Sequence, residues 1–175
     1  MRLRLFLMPI IMLNLLCIGQ VDAYESEDVL KVSIIAKLAK FVSGNDSAGV
    51  QSFTIAILNN PFGGLPDRLL TGKRIHNHPV IVQHIDSLKK LGDAQILFIP
   101  RMSPSKMQDV LLAMNKKHIL TISDSRGFAQ LGGMIQMYTA SRRLKLKINL
   151  DVARQAGLRI RSSLLKIAEI VKEEK

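Results

Sequence analysis

The segment Ala94-Gln95-Ile96-Leu97-Phe98-Ile99 is an apolar run of strand length with almost no polar alternation, so both of its faces have to be covered. Phe53-Thr54-Ile55-Ala56-Ile57-Leu58 and His118-Ile119-Leu120-Thr121-Ile122 have the same character, and residues 80–85 form a fourth run between Pro79 and Asp86. Helical patterns lie between them. Apolar residues recur at helical spacing over residues 29–42, with Lys31, Lys37 and Lys40 assigned to the solvent side. A helix is expected after Asn59-Asn60-Pro61, from Phe62 or Gly63 to Leu70, and a short one over residues 87–91. Ser103 and Pro104 then suit the cap and first position of a helix running to about Asn115. Strands alternating with helices predict a single three-layer α/β domain with a mainly parallel sheet.

The last third is patterned differently. Residues 133–138 and 144–150 are separated only by a short polar turn and should pair as an antiparallel hairpin. In the second of these strands Leu144, Leu146, Ile148 and Leu150 alternate with Lys145, Lys147 and Asn149, the period of a strand with one wet face. A closing helix is expected, because Ile160, Leu164, Ile167, Ala168 and Val171 fall on one helical stripe.

At the other end, Arg2 and Arg4 precede an apolar run over residues 5–18, followed by Val21-Asp22-Ala23. This is the layout of a secretory signal peptide, and the run is shorter than the roughly 20 apolar residues of a spanning helix. Cleavage after Ala23 is expected, giving a signal at residues 1–23, a domain at residues 24–175 and a periplasmic location. Cys17 is the one cysteine, and Leu16 before it is not the small residue that lipidation favours, so residues 24–175 hold no disulfide. The chain carries +11 at pH 7, or +10 once Arg2, Arg4 and Asp22 are set aside. Such a charge attracts nucleic acid, anionic lipid or an acidic partner. Export argues against nucleic acid, and 5% aromatic residues with no Trp supply few stacking platforms.

Catalytic signatures are missing. No dinucleotide or Walker-type glycine loop occurs, nor a nucleophile elbow. His76, His78 and His84 are the best metal candidates, but with no cysteine and no third-ligand spacing they read better as surface histidines, and His118 reads as structural. The expected protein is thus a binding module without a metal or cofactor. Two segments stand out. Asp124, Arg126 and Phe128 belong to a polar turn at the carboxyl end of a core strand, where α/β ligand crevices form; alternatively Asp124 caps a short helix and Gly132-Gly133 allow a tight approach to the next strand. Between residues 142 and 161, Arg142, Arg143, Lys145, Lys147, Arg154, Arg159 and Arg161 face a single acid, Asp151. Arg143 and Arg154 are candidate partner contacts, whereas Lys145 and Lys147 guard a strand edge against aggregation. Asn149 is either a contact or the cap of a helix beginning near Asp151.

Three blocks together resemble the YfiR family: Ala36-Lys37-Leu38-Ala39-Lys40-Phe41-Val42; Thr121-Ile122-Ser123-Asp124 through Gly127-Phe128 to Gly132-Gly133-Met134-Ile135; and residues 148–160 with Ser162-Ser163-Leu164-Leu165. The resemblance implies an exported α/β regulator that binds the periplasmic domain of an inner-membrane diguanylate cyclase, represses it and lowers cyclic-di-GMP, with effects on biofilm formation and motility. It further implies release of repression through an outer-membrane-associated lipoprotein, and a homodimer. Asp124, Arg126, Phe128, Arg143, Asn149 and Arg154 are then the expected contact region. Other relatives are linked to membrane histidine kinases, so a ligand-binding sensor component for such a kinase is the alternative. The redox-sensitive disulfides of the best-known member do not carry over to a domain without cysteine.

Overall fold

Strand β2 (Phe53–Leu58) has a parallel partner on each side, which fixes the architecture around it. In the computed structural model, which describes residues 19–44 and 51–172 and the side chains of 27–44 and 51–172, α1 (Gly19–Ala39) is followed by β1 (Val42–Ser43), β2 and α2 (Leu65–Leu70). Next come β3 (Arg74–Ile75), β4 (His78–Ile85), a 3-10 turn at Leu88–Lys90, β5 (Ile96–Ile99), α3 (Pro104–Met114) and β6 (Leu120–Ser123). The chain continues through β7 (Ile135–Ala140), β8 (Arg143–Asn149), α4 (Leu150–Gln155), β9 (Arg159–Ile160), α5 (Ser162–Leu165) and β10 (Glu169–Val171).

Eight strands form one sheet in the order β10-β8-β7-β6-β5-β2-β4-β3, and β1 pairs with β9 in a separate two-stranded ribbon. β4, β2, β5 and β6 run parallel, as the apolar runs predict, and β7 joins them parallel to β6. Strand alternation sorts the side chains to two cores. Ile55, Ile57, Ile96, Phe98, Leu120 and Ile122 face α1 and α2, against Val32, Ile35, Leu38 and Leu65. Ala56, Leu58, Leu97 and Ile99 face α3, against Met107, Leu111 and Met114. At the start of β2 the buried Gln95 carboxamide accepts from Thr54 N–H at 2.7 Å, so the sheet ends without an orphaned donor there.

The α/β domain and its antiparallel β7–β8 hairpin agree with the sequence pattern. The C-terminus does not. Among the described residues after 160 only α5 is helical; Ile167 is 75% exposed, and β10 pairs parallel with β8, Glu169 opposite Lys147 and Val171 opposite Asn149. A free β8 edge offers a ladder of backbone partners, and β-branched Ile170 and Val171 fit it better than a helix whose stripe would face solvent. Helix α1 ends at Ala39 rather than at residue 42, because Val42 enters the ribbon with Ile160 and Arg161 N–H donates to Phe41 O. α2 begins at Leu65, not at 62 or 63, with Phe62 turned into the core. The expected cleavage point after Ala23 falls within the first turns of α1, while the apolar run 5–18 and Cys17 lie outside the described residues. Among the described residues no helix is long and apolar enough to cross a membrane.

The β7–β8 turn, Ser141-Arg142, holds both residues at positive φ, 51° and 59°, as a two-residue turn matched to strand twist requires. Neither residue prefers that region. Replacing the pair with Asn-Gly should raise stability by about 1 kcal/mol, read as a higher denaturant midpoint with an unchanged slope.

Candidate functional site

The sheet order creates a crevice at one end. The chain leaves β2 for β4 on one side and returns to β5 on the other, so the loops after β2 and β5 diverge at their carboxyl ends. Asn59 and Asn60, both at positive φ, turn the chain sharply after β2 into Pro61 and Phe62. Phe62 and Phe98 meet with ring centroids 4.9 Å apart and form an apolar floor. Glu27, Asp28 and Lys31 from the middle of α1 border this space, a crevice of about 370 Å³ lined also by Pro61, Pro100, Arg101 and Asp124.

Its charges form one cluster. Lys31 Nζ lies 2.9 Å from Asp124 Oδ2, 3.0 Å from Glu27 Oε1 and 4.0 Å from Asp28 Oδ1. The Lys31 side chain is only 10% exposed, so it belongs to the interior and not to the solvent side that helical spacing suggested. Arg101 Nε approaches Asp124 Oδ2 at 3.6 Å from the surface. Burial pushes the Asp28 carboxyl above its ordinary value, Lys31 opposes this, and Glu27 and Asp124 add to it. Burial of the Lys31 ammonium acts downward, but its hydrogen bonds to Asp124 and Glu27 outweigh that and raise its pKa. The ammonium therefore stays charged and joins α1 to the end of β6, 93 residues away.

Beside this crevice lies a wider notch. β6 ends at Ser123, opposite Gln136, while β7 continues to Ala140 and carries β8 with it. The space next to the overhanging hairpin, about 890 Å³, is lined by Arg101, Asp124, Arg126, Gln130, Gln136, Tyr138 and Lys147 among others. Tyr138 O–H donates to Glu169 at 3.1 Å, and Lys147 Nζ lies 3.1 Å from the same carboxylate and 5.5 Å from the Tyr138 ring centroid. The Lys147 hydrogen bond holds the Glu169 carboxyl below its usual range.

The six expected contact residues separate. Asp124 and Arg126 line the notch, and exposed Arg143 stands at the hairpin turn on the same end. Asp124 caps no helix: its carboxylate receives Lys31, and Ser123 Oγ accepts the following Ser125 N–H. Phe128 is fully buried against the α3 core, so its side chain offers no surface to a partner. Asn149 is also fully buried; its Oδ1 accepts from Val152 N–H, capping α4, and its Nδ2 donates to Ala129 O. Because β8 runs antiparallel to β7, Arg154 falls at the opposite end of the sheet, exposed and 3.8 Å from Asp151. The basic stretch 142–161 is thereby divided between two ends of the molecule.

The histidines do not converge. His84 Nε2 lies 2.7 Å from Asp67 Oδ2, and His76 occupies a turn at positive φ with its ring edge-on to Phe53. Among the described residues no group of three or more His, Cys, Asp or Glu side chains is placed to hold a metal. Glu27, Asp28, Lys31, Arg101, Gln130 and Gln136 are the site residues that the sequence reading passed over. The Glu27/Lys31 spacing of four was legible as a helix-surface pair; the third partner, Asp124, was not.

Two outcomes follow from this geometry. A methyl at Gly133 would land on the Phe128 ring, so Gly133→Ala should destabilise the fold by about 1–3 kcal/mol in chemical denaturation. Asp28 binds its proton more tightly folded than unfolded, so the stability tied to its neutral form is present below pH 3.8 and is lost as pH rises through the higher folded value. Asp28→Asn should accordingly raise the melting temperature at pH 7, with the gain shrinking toward zero as the pH approaches the ordinary carboxyl range.

No curated protein matches the chain. Residues 28–169 of its 175 do match the sequence profile of the family described as YfiR/HmsC-like, a span that starts at Asp28 of the charge cluster and ends at Glu169, the carboxylate partner of Tyr138 and Lys147. The chain belongs to the YfiR/HmsC-like family.

Proposed function

We propose that this protein is an exported periplasmic regulator that binds the periplasmic domain of an inner-membrane diguanylate cyclase and represses it, lowering cyclic-di-GMP without catalysing a reaction itself. Membership of the YfiR/HmsC-like family carries this reading. The N-terminal layout of Arg2, Arg4 and an apolar run supports export, and the site supports a docking role: Arg101, Arg126, Arg142, Arg143 and Lys145 are all exposed at the same end, around the notch and hairpin turn. A rim of cations of that kind speeds encounter with an acidic receptor surface near an anionic membrane.

Repression requires preference for one receptor state. Shifting a receptor from 99% active to 99% inactive takes a difference in affinity of about 10⁴, or about 5.5 kcal/mol. Tight binding to both states would leave the cyclase unaffected. An outer-membrane-associated lipoprotein would relieve repression by competing for the regulator.

Capture of the cyclase from solubilised inner membrane, together with cellular cyclic-di-GMP, tests the proposal. Arg126→Glu/Arg143→Glu should lower capture at least tenfold and raise cyclic-di-GMP toward the deletion level, with an unchanged melting temperature. Arg154→Glu, at the far end of the sheet, should leave both readouts at wild-type values. No captured cyclase, together with unchanged cyclic-di-GMP on deletion, would refute repression of a cyclase.

A further inference from the structure

One margin of the sheet is open along most of a strand. β4 pairs with β2 on its inner side over residues 80–85, and on its outer side β3 covers only His78 and Pro79. Val80 N–H donates outward to Lys73 O at 3.0 Å, whereas Ile85 O turns inward to accept from Asn59 N–H, so the even-numbered residues of β4 direct their backbone groups outward. Val82 and His84 thus hold two N–H and two C=O groups at the edge, and no described residue bonds to them there. Natural sheets guard such margins with charge, proline or a bulge. The other side of the sheet has Lys145 and Lys147, but Val80-Ile81-Val82-Gln83-His84-Ile85 contains no Lys, Arg, Asp or Glu, and Ile81 is 49% exposed. A ladder of unmet backbone groups on an uncharged strand is a template for another strand.

The strand that fits this edge is the same strand. A chain of net charge +11 resists the approach of its own kind, except through a margin that carries none of that charge. Antiparallel pairing about a twofold axis at Gln83 puts Val82 opposite His84 of the second copy, and His84 opposite its Val82. Both are hydrogen-bonded pairs, and together they satisfy all four outward groups on each copy. The lengths match as well. Residue 86 would fall opposite residue 80, where Lys73 already sits, and the chain leaves the strand there, since β4 ends at Ile85 and bends toward the Leu88–Lys90 turn. That departure carries Asp86, 71% exposed and holding Lys90 through Oδ2 at 2.8 Å, alongside the exposed Lys73 of the other copy, a charge match that symmetry makes twice.

We propose that β4 pairs antiparallel with β4 of a second copy of this chain, joining two eight-stranded sheets across a twofold axis at Gln83. Three strands, β2, β5 and β6, stand between β4 and β7, so each copy keeps its notch clear of the contact. The dimer offers two notches where a monomer offers one, and a receptor with two matching sites is held by both at once. The pairing itself stands independently of any receptor.

Sedimentation equilibrium tests the association, and cysteine cross-linking tests the register. The full chain should pass from one protomer toward two between about 1 and 100 µM, the range of a short strand contact. Ile81→Lys sets an ammonium on the exposed flank of the edge; it should stay monomeric throughout, with an unchanged melting temperature at the lowest concentration. Leu112→Lys, as large a change at a leucine 67% exposed on α3, should associate as the wild type does. In a Cys17→Ser background, Gln83→Cys should form a disulfide-linked dimer on mild oxidation, because Cα atoms directly opposite in a non-hydrogen-bonded pair lie about 4.5 Å apart. Ile81→Cys should not, since its counterpart lies four residues along the other strand, more than about 10 Å away. A wild type still monomeric at about 100 µM leaves the edge to a strand of another protein and overturns the proposal. So would a dimer that survives Ile81→Lys, a dimer lost in Leu112→Lys, or cross-linking of Ile81→Cys as efficient as that of Gln83→Cys.

Discussion

A strand with parallel neighbours on both sides cannot face water on either face, and β2 imposes that condition on the rest of the chain. Its neighbours β4 and β5 are each reached by a crossover, so covering segments must pass over the sheet before the chain can return. α2 and α1 cover one face and α3 the other, and the two cores they build share no side chain. The same constraint places the site. Crossovers that depart to opposite sides of β2 leave their loops apart at the carboxyl ends, and the gap is where Phe62, Phe98 and the charge cluster lie.

The gap is neither closed by packing nor left open to solvent. Lys31 and Asp124 bridge it, and burying both charges is tolerable because each satisfies the other and Glu27 satisfies a further ammonium proton. Asp28 gains least from the arrangement, since it lies 4.0 Å from the ammonium and also feels two other carboxylates. The position of α1 over the sheet is thus set by a polar contact at one end and by apolar packing through Val32, Ile35 and Leu38 along the rest.

What could be read in the sequence divides along the same line. The strands with continuous apolar runs were legible because double burial leaves no alternation, and the β7–β8 hairpin was legible from its alternation and short turn. Lys31 was misplaced because helical periodicity assigns lysine to solvent, and nothing local shows that Asp124 waits across the fold. Asp124 and Arg126 were found because they follow a core strand; Phe128, two residues beyond Arg126, was taken for part of the same surface although the turns send it into the α3 core. The C-terminal stripe failed for another reason. Short segments rich in isoleucine fit either period, and the decision came from the vacant edge of β8, a feature of the assembled sheet.

That edge strand has a consequence for how the protein comes apart. β10 contributes three residues, Ile170 is 48% exposed, and besides its backbone ladder the strand is anchored by the exposed Glu169 contacts to Lys147 and Tyr138. Such an element opens far more cheaply than the central strands, so its amide hydrogens should exchange through local fluctuation and not through global unfolding. Each opening lays bare the backbone of β8 at Lys147–Asn149, and the ammonium groups of Lys145 and Lys147 on that strand then act as charged guards against intermolecular pairing. The positive hairpin thereby protects the sheet during the moments when its last strand is away.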